Sequence, residues 1–212
     1  LAVASIEEAA ALRDSGVTCP ILLLEGLFDE SELGIASQLN VWLSIHNERQ
    51  LQWLEGAALS EPLTCWLKIN TGMNRLGVTP DNALHYHQRL VATLNATDGT
   101  VAYTHFASAD DVQNLQTQRQ IDAFDNLTFD VARSAANSAA LLAWPLAHYD
   151  WVRPGYMLYG NSPMTQDHPN ARTLKPVMTL TSAVIALHDV AAGESVGYGG
   201  TWVAQRPSVI AT

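Results

Sequence analysis

Residues 63–70 read LTCWLKIN, and residues 71–78 continue TGMNRLGV. The first half is an apolar run of strand character that closes on a Thr-Gly turn. Lys68 falls inside the strand, and Arg75 lies just past the turn. Six further runs share this character: LAVAS (1–5), PILLLEG (20–26), VWLSIHN (41–47), TVAYTHF (100–106), VARSAAN (131–137) and HYDWVRPG (148–155). Helical patterns such as IEEAAALRDSG (6–16) and VQNLQTQRQIDAFDNL (112–127) separate them. That alternation predicts parallel βα units. The runs begin about 20 to 30 residues apart, which suits either a doubly wound sheet or a (β/α)8 barrel. Seven strands are one short of a barrel, and the chain opens without Met and already in strand character. The expectation is therefore an α/β fold, a (β/α)8 TIM-type barrel lacking its first strand, in a fragment of a longer protein.

After MLYG (157–160) the pattern changes. NSPMTQDHPNARTLK (161–175) is polar with two prolines and reads as a linker. From Pro176 onward the chain is β-rich, punctuated by Gly and Pro, without a helix signal. The expected organisation is a barrel over 1–173 and the start of an all-β domain over 174–212, itself ending in mid-strand.

Composition narrows the function classes. The chain has 212 residues and is 48% hydrophobic, enough for a sizeable core. Its 11 basic and 21 acidic residues give a net charge of −10 without clustering, which argues against nucleic acid as a partner. No apolar run reaches the roughly 18 residues of a membrane helix, and the start lacks signal-peptide features, so a cytoplasmic protein is expected. Cys19 and Cys65 lack metal or redox spacing and are expected to pack as small apolar residues.

In a barrel the working residues lie at the C-terminal ends of strands and in the loops that follow. That rule selects Arg75, His105, Asn137, Ser138 and Arg153, although an arginine after a strand is more often a solvated or ion-paired side chain. ANSAA (136–140) and the turn at RPG (153–155) follow the last two runs, where barrels commonly bind phosphate. Ser138 offers a hydroxyl and Gly155 a close backbone approach, against the ordinary alternative of a helix cap and a turn. His85 and His87 point to different faces of a helix, so no shared metal is expected. Asp110 and Asp111 are read as capping the next helix. Tyr198 sits between glycines in VGYGG (196–200), by itself an ordinary hairpin turn. No P-loop, GxSxG elbow or GxGxxG fingerprint occurs.

Taken together, LKINTGMNRLG (67–77), THFASAD (104–110), ANSAA, WVRPGYMLYG (151–160) and VGYGGTW (196–202) resemble, in order and approximate spacing, the bacterial alanine racemases. The resemblance covers nearly the whole chain. It implies pyridoxal 5'-phosphate as cofactor, alanine as substrate, a homodimer, and interconversion of L- and D-alanine by two-base proton transfer to supply peptidoglycan. By the same resemblance Arg153 faces the cofactor's ring nitrogen, and His105 lies beside it and helps to fix its position. An arginine keeps its proton, so the ring becomes a weaker electron sink than with a carboxylate partner. Ser138, Gly155 and Tyr156 hold the phosphate, with Asn137 in the same shell; Tyr156 replaces a more usual aliphatic residue. Arg75 contacts the phenolic oxygen near the substrate carboxylate. Lys68 corresponds to a lysine that is often carbamylated, giving an anion able to hold Arg75. Asn70 stands where Asp is common. Tyr198 corresponds to the catalytic tyrosine acting in trans on the partner's barrel. The lysine that attaches the cofactor has no counterpart, since Lys68 and Lys175 are the only lysines and occupy other places; the fragment alone is expected to be inactive. Two alternatives remain open at this stage, a serine or broad-specificity racemase of the same fold and a non-catalytic pyridoxal-phosphate-binding protein.

Overall fold

The computed structural model describes all 212 residues. The chain divides into two compact units, Leu1–Val177 and Met178–Thr212. The first holds six parallel strands hydrogen-bonded in chain order: β1 (Ala2–Val3), β2 (Leu22–Leu23), β3 (Trp42–Ile45), β4 (Cys65–Lys68), β5 (Val101–Tyr103) and β6 (Ala132–Ser134). Helices α1 (Ile6–Asp14), α2 (Glu32–Gln38), α3 (Glu48–Gly56), α4 (Pro80–Ala92) and α5 (Gln116–Asp125) connect them, and α6 (Ser138–Ala143) follows β6. This sequential parallel order bears out the expected parallel βα units of a barrel, here as a six-stranded half-barrel.

The seventh expected strand is reduced to a single parallel bridge between Trp151 and Ser134. Its backbone cannot stay extended. Tyr149 has φ +44, the amides of Asp150 and Trp151 both donate to Arg133 O at 3.1 Å, and Pro154 offers no N–H.

Strand pleating sorts the apolar residues onto two faces. Leu23, Leu43, Ile45, Cys65, Leu67 and Ala102 form one core with helix residues such as Leu51, Leu54, Leu90, Ile121 and Phe124. Leu22, Trp66, Val101 and Tyr103 form the other, with Trp42 and Ala132 against them. Trp42, Trp66 and Trp151 meet with ring centroids 5.6–6.0 Å apart, an aromatic floor beneath the strand ends.

Local chemistry sets the element ends. Asn47 caps α3 by accepting from Gln50 N at 3.0 Å, and Pro80 opens α4 where its missing N–H costs nothing. The Arg13 guanidinium donates to Val17, Cys19, Leu39 and Asn40 carbonyls at 2.8–2.9 Å, closing the chain after both α1 and α2. Asp110 and Asp111 do not cap the next helix, because α5 begins only at Gln116, where Asn114 accepts from Gln116 N at 2.9 Å. Asp111 instead holds a turn through Gln113 N, and Asp110 O receives Thr165. Cys65 is buried, its thiol pushed up to about 12 by burial, but Cys19 is exposed, contrary to the packing expected of it. Residues 161–175 are fastened to the first unit: Asn170 Nδ2 donates to Leu142 O at 2.7 Å and Ala171 is buried.

The second unit contains β7 (Leu187–Val190) paired antiparallel with β10 (Ser208–Ala211), and β8 (Ser195–Val196) paired with β9 (Trp202–Val203). This matches the start of an all-β domain. The β-rich residues before β7 are not strands. Ile185 and Ala186 pair only with Thr212, and Leu180 is 96% exposed, so that stretch lacks the neighbour a ladder requires.

Candidate active site

Register brings Lys68, Tyr103 and Ser134 side by side at the C-terminal ends of β4, β5 and β6. Tyr103 is the hub of this row. Its hydroxyl donates to Leu24 O at 3.1 Å and receives a short hydrogen bond from Ser44 Oγ, and burial pushes its pKa up to about 12. Two cations approach its ring, Lys68 Nζ at 5.2 Å and Arg153 Cζ at 5.0 Å from the centroid.

Arg153 arrives from the loop after Trp151. Its backbone N–H donates to Ala136 O at 2.8 Å, and its guanidinium donates to Ser134 Oγ, to Thr104 O and, at 3.5 Å, to Ala135 O. None of these acceptors is an anion. Loss of solvation pushes its pKa down to about 10, which still leaves it charged at neutral pH. His105 makes no hydrogen bond to Arg153; burial first, then the cations of Arg153, Arg75 and Lys68, push its pKa down to about 4. The imidazole is therefore neutral.

Lys68 is only 5% exposed, and burial is the main reason its pKa falls to about 8, with Arg75 and Arg153 adding to the fall and Glu25 opposing it. Its amine therefore loses its proton more readily than an ordinary lysine's. The sign of the linkage is definite. Between about 8 and the usual lysine value of 10.5 the unfolded chain holds a proton that the folded chain has lost, so this group adds stability as pH rises through that window. Lys68→Met is expected to stabilise the fold at pH 7, with the gain shrinking by pH 10.5. Urea unfolding of both proteins across that range checks it; a pH-independent difference contradicts it.

Arg75 is exposed and in no ion pair, on a loop shaped by its neighbours. Asn70 Oδ1 accepts from Gly72 N at 3.1 Å and Asn74 N at 2.9 Å, while its Nδ2 donates to Asn74 Oδ1. The Asn70 amide thus serves as both acceptor and donor within the turn. Gly77, at φ +120, returns the chain past Asn70 so closely that a Cβ would lie 2.7 Å from Asn70 N.

The remaining predicted residues form a second group. Ser138 Oγ accepts from Gly155 N at 3.0 Å and Met157 N at 3.2 Å, drawing the loop after Arg153 onto the start of α6. Asn137 is occupied as the cap of α6, accepting from Ala140 N at 3.0 Å and donating to Phe106 O at 3.4 Å. The amides of Ser138, Ala139 and Tyr156 have no acceptor in the chain, and open space faces the position a Gly155 Cβ would take. Free amides, a hydroxyl and room for close approach fit a phosphate-bearing group.

Tyr198 belongs to the second unit, at the tip of the β8–β9 hairpin between Gly197 and Gly199, both at φ +74. It is fully exposed and its hydroxyl is free of hydrogen bonds.

Three contributors went unread in the sequence. Ser44 and Tyr103 look like core residues until the register places them on the concave face. Glu25 follows β2, where its carbonyl accepts from His46 Nε2 at 2.9 Å; Asn47 Nδ2 donates to the other ring nitrogen, so His46 is held neutral. Glu25 and His46 also line a cleft of about 490 Å3 that includes Leu76, next to Arg75. Glu25 stands at a strand end, the signal that selected Arg75.

Family models agree with this geometry. One described as the alanine racemase N-terminal domain matches residues 1–163, and one described as the alanine racemase C-terminal domain matches residues 177–212. The chain is 46% identical over 207 residues to the biosynthetic alanine racemase of Escherichia coli O6:H1 (strain CFT073), covering 96% of itself and 58% of that protein. It is also 46% identical over 219 residues to the alanine racemase of Pseudoalteromonas atlantica, covering 100% of itself and again 58% of the relative. The crystal structure of the biosynthetic alanine racemase from Pseudomonas aeruginosa is similar with a TM-score of 0.91 at 44% identity, over 99% of this chain and 59% of that one. Histidine racemase from Leuconostoc mesenteroides is similar with a TM-score of 0.79 at 27% identity, over 99% and 58%. The chain thus spans less than two thirds of the length of the curated relatives it matches. With the half-barrel, the hairpin and both family models in agreement, the chain belongs to the alanine racemase family.

Proposed function

We propose that the full-length protein is a homodimeric, cytoplasmic alanine racemase that uses pyridoxal 5'-phosphate and supplies D-alanine for peptidoglycan. One observation carries the reading: in a chain of net charge −10, Lys68, Arg75 and Arg153 approach one set of strand ends and none of the three is in an ion pair with a carboxylate. Such unpaired cations suit an anionic ligand, Arg75 toward a carboxylate, while the free amides beside Ser138 suit a phosphate. When bound, the cofactor supplies an electron sink that makes the Cα–H of an attached amino acid acidic.

The roles of this chain's residues follow from their chemistry. Ser138 and the free backbone amide of Tyr156 would hold the phosphate, Gly155 would leave room for its close approach while its own N–H stays on Ser138 Oγ, and Asn137 fixes the turn beside them. Arg153 would face the ring nitrogen, and its guanidinium would donate there without surrendering its proton. Neutral His105 packs near Arg153 without competing for its acceptors. Arg75 would meet the phenolic oxygen and the substrate carboxylate. The neutral fraction of Lys68 adds to carbon dioxide, forming an N–C bond and releasing one proton, and the resulting carbamate restrains Arg75. Tyr198 reaches the partner's barrel and moves a proton at one face of Cα. A lysine outside these 212 residues serves the other face and attaches the cofactor. No helix is long and apolar enough to cross a membrane.

A second reading, a racemase of wider or different amino-acid range, is favoured by the likeness to a histidine racemase. Chiral chromatography of the full-length protein incubated with pyridoxal phosphate and L-alanine, L-serine or L-histidine separates them. The proposal expects the highest kcat/KM with alanine; a higher value for serine or histidine transfers the assignment to the second reading, and no racemisation of any of them rejects both.

A further inference from the structure

Helix α5 carries a buried amide that faces the site and has no assigned part in it. Gln120 is 1% exposed and its side chain reaches three separate groups. Nε2 donates to His105 O at 2.9 Å and to Thr71 Oγ1 at 3.2 Å, while Oε1 accepts from Ala107 N at 3.0 Å. Thr71 Oγ1 in turn lies 2.7 Å from Thr104 Oγ1, and Thr104 O is an acceptor of the Arg153 guanidinium. One turn earlier Gln116 donates to Gly72 O at 3.3 Å and accepts from Ser108 Oγ at 3.0 Å. A Cβ at Gly72, which has φ +137, would meet Gln120 Cγ at 3.4 Å. The loop after β4, which bears Arg75, and the loop after β5, which bears His105, are thus fastened to one side chain.

We propose that Gln120 is a positioning residue for the racemisation site: it sets the spacing between the Arg75 loop and the His105 loop and, through Thr71 and Thr104, steadies Arg153. The proposal rests on the racemase reading above. Only a carboxamide suits the position, since two donors must face a carbonyl and a hydroxyl while one acceptor faces an N–H. Leucine or methionine fills the space and leaves His105 O and Ala107 N without partners. Glutamate keeps the acceptor and turns a second one against a carbonyl.

Gln120→Met in the full-length protein tests this, because methionine matches the length of the side chain and separates packing from hydrogen bonding. The expected result at 25 °C, with circular dichroism showing a fully folded protein, is a fall in kcat/KM for alanine of tenfold or more, since small misplacements of reacting groups are costly. Thr71→Val is expected to lower it as well, and the double variant to fall no further than Gln120→Met, as one connected network requires. A folded Gln120→Met protein with kcat and KM within twofold of the parent, or additive losses in the double variant, overturns the proposal. Hydrogen exchange supplies the readout that needs no turnover: in Gln120→Met the amides of residues 71–77 and 105–109 should exchange faster while α1–α3 are unchanged. Unaltered exchange there overturns the proposal even if the protein does not racemise alanine, whereas faster exchange in an inactive parent rejects the racemase reading alone.

Discussion

Tyr198→Phe in the full-length protein should slow proton abstraction from L-alanine by a hundredfold or more, the range a positioned general base contributes. The fold should survive. Tyr198 is fully exposed at the hairpin tip and its hydroxyl makes no hydrogen bond within the chain, so the substitution removes a reactive oxygen and nothing structural. If the tyrosine serves the partner's barrel, mixing this variant with one lacking the cofactor-attaching lysine should restore part of the activity. One mouth of each mixed dimer then has both bases, whereas each parent homodimer lacks one at both sites. Verified mixed dimers without recovery would place Tyr198 in its own barrel or outside catalysis.

Arg153→Glu should affect both stability and rate. The guanidinium supplies donors to Ser134 Oγ, Thr104 O and Ala135 O, and a carboxylate would confront the same oxygens with another acceptor. Losing charge-assisted hydrogen bonds and stranding their acceptors costs about 3 kcal/mol or more. The urea midpoint should fall accordingly, and kcat by a hundredfold or more if Arg153 faces the ring nitrogen as proposed, since the group there would be reversed in charge. Arg153→Lys should lie between the two, retaining the cation but only part of the donor fork. A glutamate variant with the parent's midpoint and rate would remove Arg153 from this role.

Much of the half-barrel was legible because strand and helix periods alternate plainly from LAVAS to VARSAAN. The seventh run was not, since a positive φ at Tyr149 and the missing N–H of Pro154 undo a stretch that composition alone calls β. Arg75, His105, Ser138 and Arg153 could be selected by their place after strands, but their roles came from the resemblance. Tyr103 and Ser44 were hidden because period-two alternation does not reveal which face is concave until neighbouring strands are in register. Gln120 was hidden among Gln116, Gln118 and Arg119 on a helix whose burial is decided by loops distant in sequence.

The central claim, that two bases on opposite faces move the Cα proton, is tested most directly by racemising L-alanine in deuterium oxide with the full-length protein and stopping at low conversion. Two bases require the second to deliver a solvent-derived deuteron, so mass spectrometry should find the first D-alanine deuterated at Cα and the recovered L-alanine largely protiated. Protium carried from L-alanine into the early D-alanine would mean that a single base returns the proton it removed, and would contradict the account.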